Sequence, residues 1–269
     1  MKRVAVIGCS HSSYDQVFHG PSSDGKDWIH HMSSIAPDYE FHSFACEGHG
    51  PSYYDYALKE IAVKYEPKYF DTLIVQYTVG GRWMFPLNAG NMWSPIQNTH
   101  TDYNRTSITD NYHFYKLFPQ RVSLTRNRAT AFHVDRGDYF NKKKIKHMEQ
   151  YLDEIYQPDG LVTTYESNFA HTMVPLYGQF FNNVYYFDFS NTMFNATTTD
   201  KDFQYRNNIG WDKPFKNYVT DKYGIEYVAE FLFDSSFHCS KLGNELLVNE
   251  YLNESLLGDH LGTRGKRVG

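Results

Sequence analysis

The sequence predicts an α/β protein: a three-layer α/β/α sandwich around a five-stranded parallel sheet, with a long insertion after the third strand. Three observations carry this. The runs "KRVAVIG" and "DTLIVQYT" are apolar through their length, as strands covered on both faces are. Segments with helical spacing of apolar residues separate the strand-like runs. From Gly80 to about Gly137 the periodicity lapses, and so long a stretch without regular structure reads as an insertion rather than a connection.

The elements follow in order. "KRVAVIG" is the first strand, and "GKDWIHHMSSIAP" is a helix with Trp28, Ile29, Met32 and Ile35 on one face. "EFHSFAC" is the second strand. "PSYYDYALKEIAVKYEP" is the second helix, with Pro51 suited to its first turn and Pro67 to its end. "DTLIVQYT" is the third strand. The insertion spans residues 82 to about 135 and is expected to be partly helical around "NYHFYKLF". Alternation resumes with the helix "DYFNKKKIKHMEQYLDEIY", the strand "DGLVTTYE", the helix "NFAHTMVPLYGQFF" and the strand "NVYYFDF". An irregular loop covers about 190–214, and helices near "NYVTDKYGIEYVAEF" and "SKLGNELLVNEYLNESLL" follow. Five such strands fit the flavodoxin-like order 2-1-3-4-5, within a single domain over 1–269.

Composition narrows the function. With 41% apolar and 17% aromatic residues the chain can bury a sizeable core. A net charge of -5 argues against a nucleic-acid surface, and no run reaches the ~18 apolar residues of a membrane span. The apolar part of "MKRVAVIGC" is too short for a signal peptide, and three dispersed cysteines do not form a disulfide framework. A soluble, cytoplasmic protein is the expectation.

Ligands of such sheets bind beyond the carboxyl ends of the strands, beside the first strand. There "GCSHSS" places Ser10 on a turn that Gly8 permits, a position from which a hydroxyl can act as nucleophile. A serine needs a base, commonly a histidine oriented by a carboxylate. "LFDSSFHCSKLGNELLVNEYL" offers Asp234 and His238 just ahead of an amphipathic helix. Each residue also has a purely structural use: Ser10 as a helix cap, His238 as a packed helix-start residue.

In order and spacing, "VIGCSHS", "ACEGHG", "LIVQYTVGG" and "DSSFHCSKLGNELL" resemble the four blocks of the SGNH (GDSL-type) hydrolases, over most of the chain outside the two irregular loops. The resemblance implies Ser10 as nucleophile, His238 as general base and Asp234 as its orienting acid. It also implies Gly48 (or Gly50) and the Ser10 backbone as oxyanion donors. The chain departs from the family pattern in three places. Cys9 stands where the family has Asp. Gly80 stands where an Asn side chain donates to the oxyanion, leaving Arg82, Thr78, Asn88 or Asn91 to substitute. Three residues rather than two separate Asp234 from His238, so Asp188 is an alternative acid.

Other motifs carry less. "GPSSDGKD" has the spacing of a phosphate loop, but it lies a dozen positions past the strand and ends in Asp27 rather than a hydroxyl. "IHHM" and "HVDRGD" lack the spacing of metal motifs such as HExxH, so neither metal nor cofactor is expected. Cys9 is a rival nucleophile that points elsewhere than Ser10.

Three functions fit: an esterase or deacylase acting on a small or carbohydrate ester, an O-acyltransferase using the same triad, or a catalytically silent glycan- or protein-binding relative. The insertion carries Trp83, Phe85, Trp93, Tyr103, Tyr112, Phe114 and Tyr115, rings that either stack on sugars or pack the insertion onto the domain.

Overall fold

The computed structural model describes residues 1–14, 26–46, 51–77, 82–86, 104–116, 121–126, 132–135, 179–188, 215–224 and 238–252, with the single residues 150 and 176. The first strand, β1 (Lys2–Ile7), lies inside a six-stranded, mostly parallel sheet. On one side β2 (Tyr39–Ser43) runs parallel to it, with Val4 opposite Phe41. On the other side β3 (Thr72–Tyr77) is also parallel, with Val4 opposite Thr72. The strand β4 (Arg82–Pro86) leaves this sheet and pairs elsewhere. The hairpin of β5 (Asn104–Thr109) and β6 (Tyr112–Lys116) then returns to it, β6 lying parallel to β2. The strands β7 (Arg121–Arg126) and β8 (Phe132–Asp135) complete a small antiparallel sheet with β4, order β4-β7-β8. Finally β9 (Asn183–Asp188) closes the main sheet, whose order is β5-β6-β2-β1-β3-β9.

Alternation along the strands divides the core in two. Val4, Val6, Phe41, Ile74 and Phe187 pack with Trp28, Ile29 and Met32 of α1 (Trp28–Ile35). The same cluster takes Phe215 and Val219 of α3 (Phe215–Tyr223), and Leu247, Val248 and Tyr251 from the C-terminal helix. Ala5, Ile7, Phe44, Leu73 and Val75 pack instead with Tyr53, Tyr54, Ala57 and Ile61 of α2 (Pro51–Lys64). Helices therefore bury both sets of strand side chains, which is why β1 and β3 are apolar without alternation.

The structure corrects several expectations. "NYHFYKLF" forms β6, not helix: Tyr112 enters the α1-side core and Tyr115 the α2-side core, a period of two that suits a strand on the open edge of β2. The strand "NVYYFDF", expected one place further out, pairs directly with β3 as β9, Thr72 opposite Asn183. Asp71 sets that register, its carbonyl accepting from the N–H groups of Asn182 and Asn183 and its carboxylate from the Asn182 amide at 2.9 Å. The expected strand "DGLVTTYE" lies outside the described residues. Ile35, placed on the buried face of α1, is exposed at its C-terminal end.

Near the C-terminus, α3 stops at Gly224, whose φ of 91° is open to glycine and strained for other residues. The last helix among the described residues, α4 (Lys241–Leu246), continues as a π-helical turn over Leu247–Leu252.

Candidate functional site

The carboxyl end of β1 closes on itself through a tight turn. The Ser12 N–H donates to the Cys9 carbonyl at 3.0 Å, leaving Ser10 and His11 at the turn's two central positions. Gln76, a buried amide in an otherwise apolar strand, holds the turn from β3. Its Oε1 accepts from the Cys9 backbone N–H at 3.1 Å and from the Ser12 hydroxyl at 3.1 Å. The indole N–H of Trp28 donates to that hydroxyl at 2.9 Å, and the Ser43 hydroxyl donates to the Ser12 carbonyl at 2.7 Å. One turn is thus tied to β2, β3 and α1.

Gly8 is required by this closeness. A Cβ there would lie 2.7 Å from Gln76 Oε1 and 2.9 Å from Ser12 Oγ, inside van der Waals contact. The Gly8 carbonyl also accepts from the Cys46 N–H at 3.1 Å, which aligns the end of the β2 segment with the turn. Ser10 therefore stands where the argument from sequence placed it, at the end of β1, although it is 95% buried in the described surroundings rather than openly exposed, with 5% of its surface accessible. The segment after it is turn through Ser12, and α1 begins only at Trp28. A helix directly behind Ser10 is not seen; residues 15–25 lie outside the described part.

His238 arrives at the same turn from the far end of the chain. Ser240 caps α4 by accepting from the Gly243 N–H at 3.1 Å, and the Asn244 amide donates to the Lys26 carbonyl at 3.0 Å. These two contacts seat the start of α4 against the segment leading into α1. The His238 ring then lies 4.9 Å, centroid to centroid, from that of His11, at an interplanar angle of 38°. His11 follows Ser10 in the turn, and His238 packs on His11. His238 is itself buried.

Among the expected site residues, Ser10 and His238 are described: Ser10 lies in the turn after β1, and the His238 ring packs on that of its neighbour His11. Asp234, Gly48, Gly50, Thr78, Gly80, Asn88 and Asn91 lie outside the described residues. Arg82 opens β4, its backbone opposite Thr125, with its side chain outside the described part. Asp188, the alternative acid, is the last residue of β9, with its backbone opposite Tyr77 at the carboxyl edge of β3.

Three of the seven insertion rings, Tyr112, Phe114 and Tyr115, are buried and so belong to packing rather than to a sugar-facing wall. Tyr112 also donates from its hydroxyl to Asp27 Oδ2 at 2.6 Å, while Asp27 Oδ1 accepts from the His30 N–H at 2.8 Å and caps α1. Burial, then the Asp27 charge, pushes the Tyr112 phenol well above its ordinary range, so it stays a donor.

Gln76, Ser12 and His11 were not singled out from sequence, and Trp28 was expected only on the apolar face of α1. The signal for Gln76 was present, a lone amide inside "TLIVQY". The others needed the fold.

Comparison with protein-family models, with curated proteins and with solved structures finds no match. Among the described residues, no helix is long and apolar enough to cross a membrane.

Proposed function

We propose that this chain is a serine hydrolase of the SGNH (GDSL-type) kind, an esterase or deacylase, with Ser10 as nucleophile and His238 as general base. One observation carries the reading: the His238 ring packs against His11, the residue beside Ser10, so the start of α4 delivers an imidazole to the turn that ends β1. The surrounding architecture supports it. Helices on both sides of a parallel β2-β1-β3 core read as a three-layer sandwich, and the turn occupies the carboxyl edge where such sheets bind ligands.

In this reading His238 removes the Ser10 proton as Oγ attacks the ester carbonyl. Backbone N–H groups at Ser10 and Gly48, with Thr78 or Arg82 assisting, receive the negative charge of the tetrahedral intermediate. Collapse breaks the ester C–O bond, and His238 returns the proton to the leaving alkoxide. Water, deprotonated in turn by His238, then releases the acid from the acyl-serine. Asp234 orients the imidazole, with Asp188 as the alternative acid. The protein is read as cytoplasmic, in keeping with three buried cysteines that form no disulfide.

Ser10→Ala tests the assignment. The hydrogen bonds described for the turn run through Cys9 and Ser12, so the variant keeps its fold. Hydrolysis of p-nitrophenyl acetate should fall by about three orders of magnitude or more. Turnover within a few-fold of the parent contradicts the assignment.

A further inference from the structure

Among the described residues, one group of three metal-ligating side chains converges: Glu40, His42 and His113, whose donor atoms all lie within 4.8 Å of one another. Glu40 and His42 stand two apart on β2 and so share a face of the sheet. The parallel register sets His113 of β6 directly beside His42. This is the α2-facing side of the sheet, where His42 also meets Phe70 and Tyr115. His42 pairs with Ala5 in the middle of β1, well back from the turn that carries Ser10.

The spacing within the group is that of ligands around a shared ion. Glu40 Oε1 lies 2.9 Å from His113 Nε2 and 3.3 Å from His42 Nε2. Donors each about 2.0–2.2 Å from a tetrahedral zinc ion stand roughly 3–3.5 Å apart. The supporting contacts are also in place. The Tyr115 hydroxyl is 2.9 Å from His42 Nδ1, so the Nδ1–H can donate to it and leave the Nε2 lone pair directed at Glu40. Arg3 Nε donates to the other carboxylate oxygen at 3.2 Å and fixes the carboxylate plane.

The Arg3 charge opposes a cation, but it sits on the outer oxygen. Glu40 and Arg3 are partly exposed, which leaves an entry path from solvent.

We propose that Glu40, His42 and His113 form a binding site for one divalent transition-metal ion, zinc by donor type, with water as the fourth ligand. The ion joins β2 to β6 and so fastens the β5–β6 hairpin to the parallel sheet. The site is independent of the hydrolase reading. Its sequence signal was faint, because β2 and β6 are far apart in the chain and "EFH" and "YHF" match no metal motif.

The test is titration of the full chain, freed of metal by chelator, with zinc and with cobalt(II). One equivalent should bind per chain, the melting temperature should rise by at least about 3 °C, and both His42→Asn and His113→Asn should weaken binding at least ~10-fold. His238→Ala should bind as the parent does, which separates this site from the His11–His238 pair. Should the β2 and β6 variants fail to fold, X-ray absorption of the zinc-loaded parent decides, with two imidazoles per ion expected. The proposal is overturned by the absence of one-equivalent binding in the parent, by unweakened binding in a folded His42→Asn/His113→Asn double variant, or by a zinc shell without two imidazoles. The group would then be a proton-bridged ion pair.

Discussion

The side-chain carbonyl of Gln76 accepts the backbone N–H of Cys9 at 3.1 Å, fastening the end of β1 to β3 where the chain turns to present Ser10. Gln76→Leu keeps the shape but removes the acceptor for the buried Cys9 N–H and Ser12 Oγ–H, and for the weaker Cys9 thiol donor at 3.4 Å. Each orphaned donor costs about 1–3 kcal/mol. Urea unfolding should show a loss of roughly 2–6 kcal/mol for the pair, and ester turnover should fall along with it. A variant as stable and active as the parent would show that Gln76 does not organise the turn.

Gly8→Ala strikes the same place from the other side. The added methyl meets Gln76 Oε1 and Ser12 Oγ at under 3 Å. Overpacking of this kind costs about 1–3 kcal/mol, and here the displaced atoms hold the turn, so activity should be lost out of proportion to stability. Unchanged kcat/KM in a folded Gly8→Ala protein would count against the turn as the catalytic element.

How legible was this in the sequence? The strands β1 and β3 could be read because an unbroken apolar run has few other uses, and α2 because Pro51 and Pro67 bracket it. The place of Ser10 just past β1 and of His238 just ahead of α4 could be read because the apolar run breaks at Gly8 and an amphipathic run follows the histidine. The hairpin could not. Tyr112 to Tyr115 alternate for only a few residues, and whether aromatics form strand or helix was decided by the vacant edge of β2, a tertiary fact. The neighbour of β3 was hidden for the same reason: Asp71 selects Asn182 and Asn183, and nothing local announces it.

Tyr112→Phe tests the docking of that hairpin. It removes the donor to Asp27 Oδ2, the buried carboxylate that caps α1. Hydrogen bonds to charged groups contribute about 1.5–3 kcal/mol, so the variant should be destabilised by that order in urea. No change would mean that the contact is dispensable and the hairpin is held by its apolar side chains alone.

The clasp between α3 and the π-helical turn should depend on pH. Glu250 accepts from Lys222 and from the Tyr218 and Tyr223 hydroxyls. Burial raises its carboxyl, but those bonds outweigh it and the folded value lies below the ordinary one. A carboxyl depressed on folding contributes stability above its unfolded pKa of ~4.3, and loses it as pH falls through the folded value. Glu250→Gln should therefore be less stable than the parent at pH 7, with the gap closing below about pH 4. A gap unchanged at acid pH would assign the contribution to packing.

The acid of the proposed triad can be located by comparing Asp234→Asn with Asp188→Asn. The proposed triad predicts the larger loss of kcat for Asp234→Asn. If Asp188→Asn is the more harmful, the acid comes from the end of β9, which the structure sets directly beside β3.

The central claim is tested most directly by treating the full chain with a fluorophosphonate and mapping the adduct by peptide mass spectrometry. The account predicts one adduct, on Ser10, absent from Ser10→Ala and formed at least ~100-fold more slowly in His238→Ala. An adduct on Cys9 or another serine, or none in a folded protein, would contradict it.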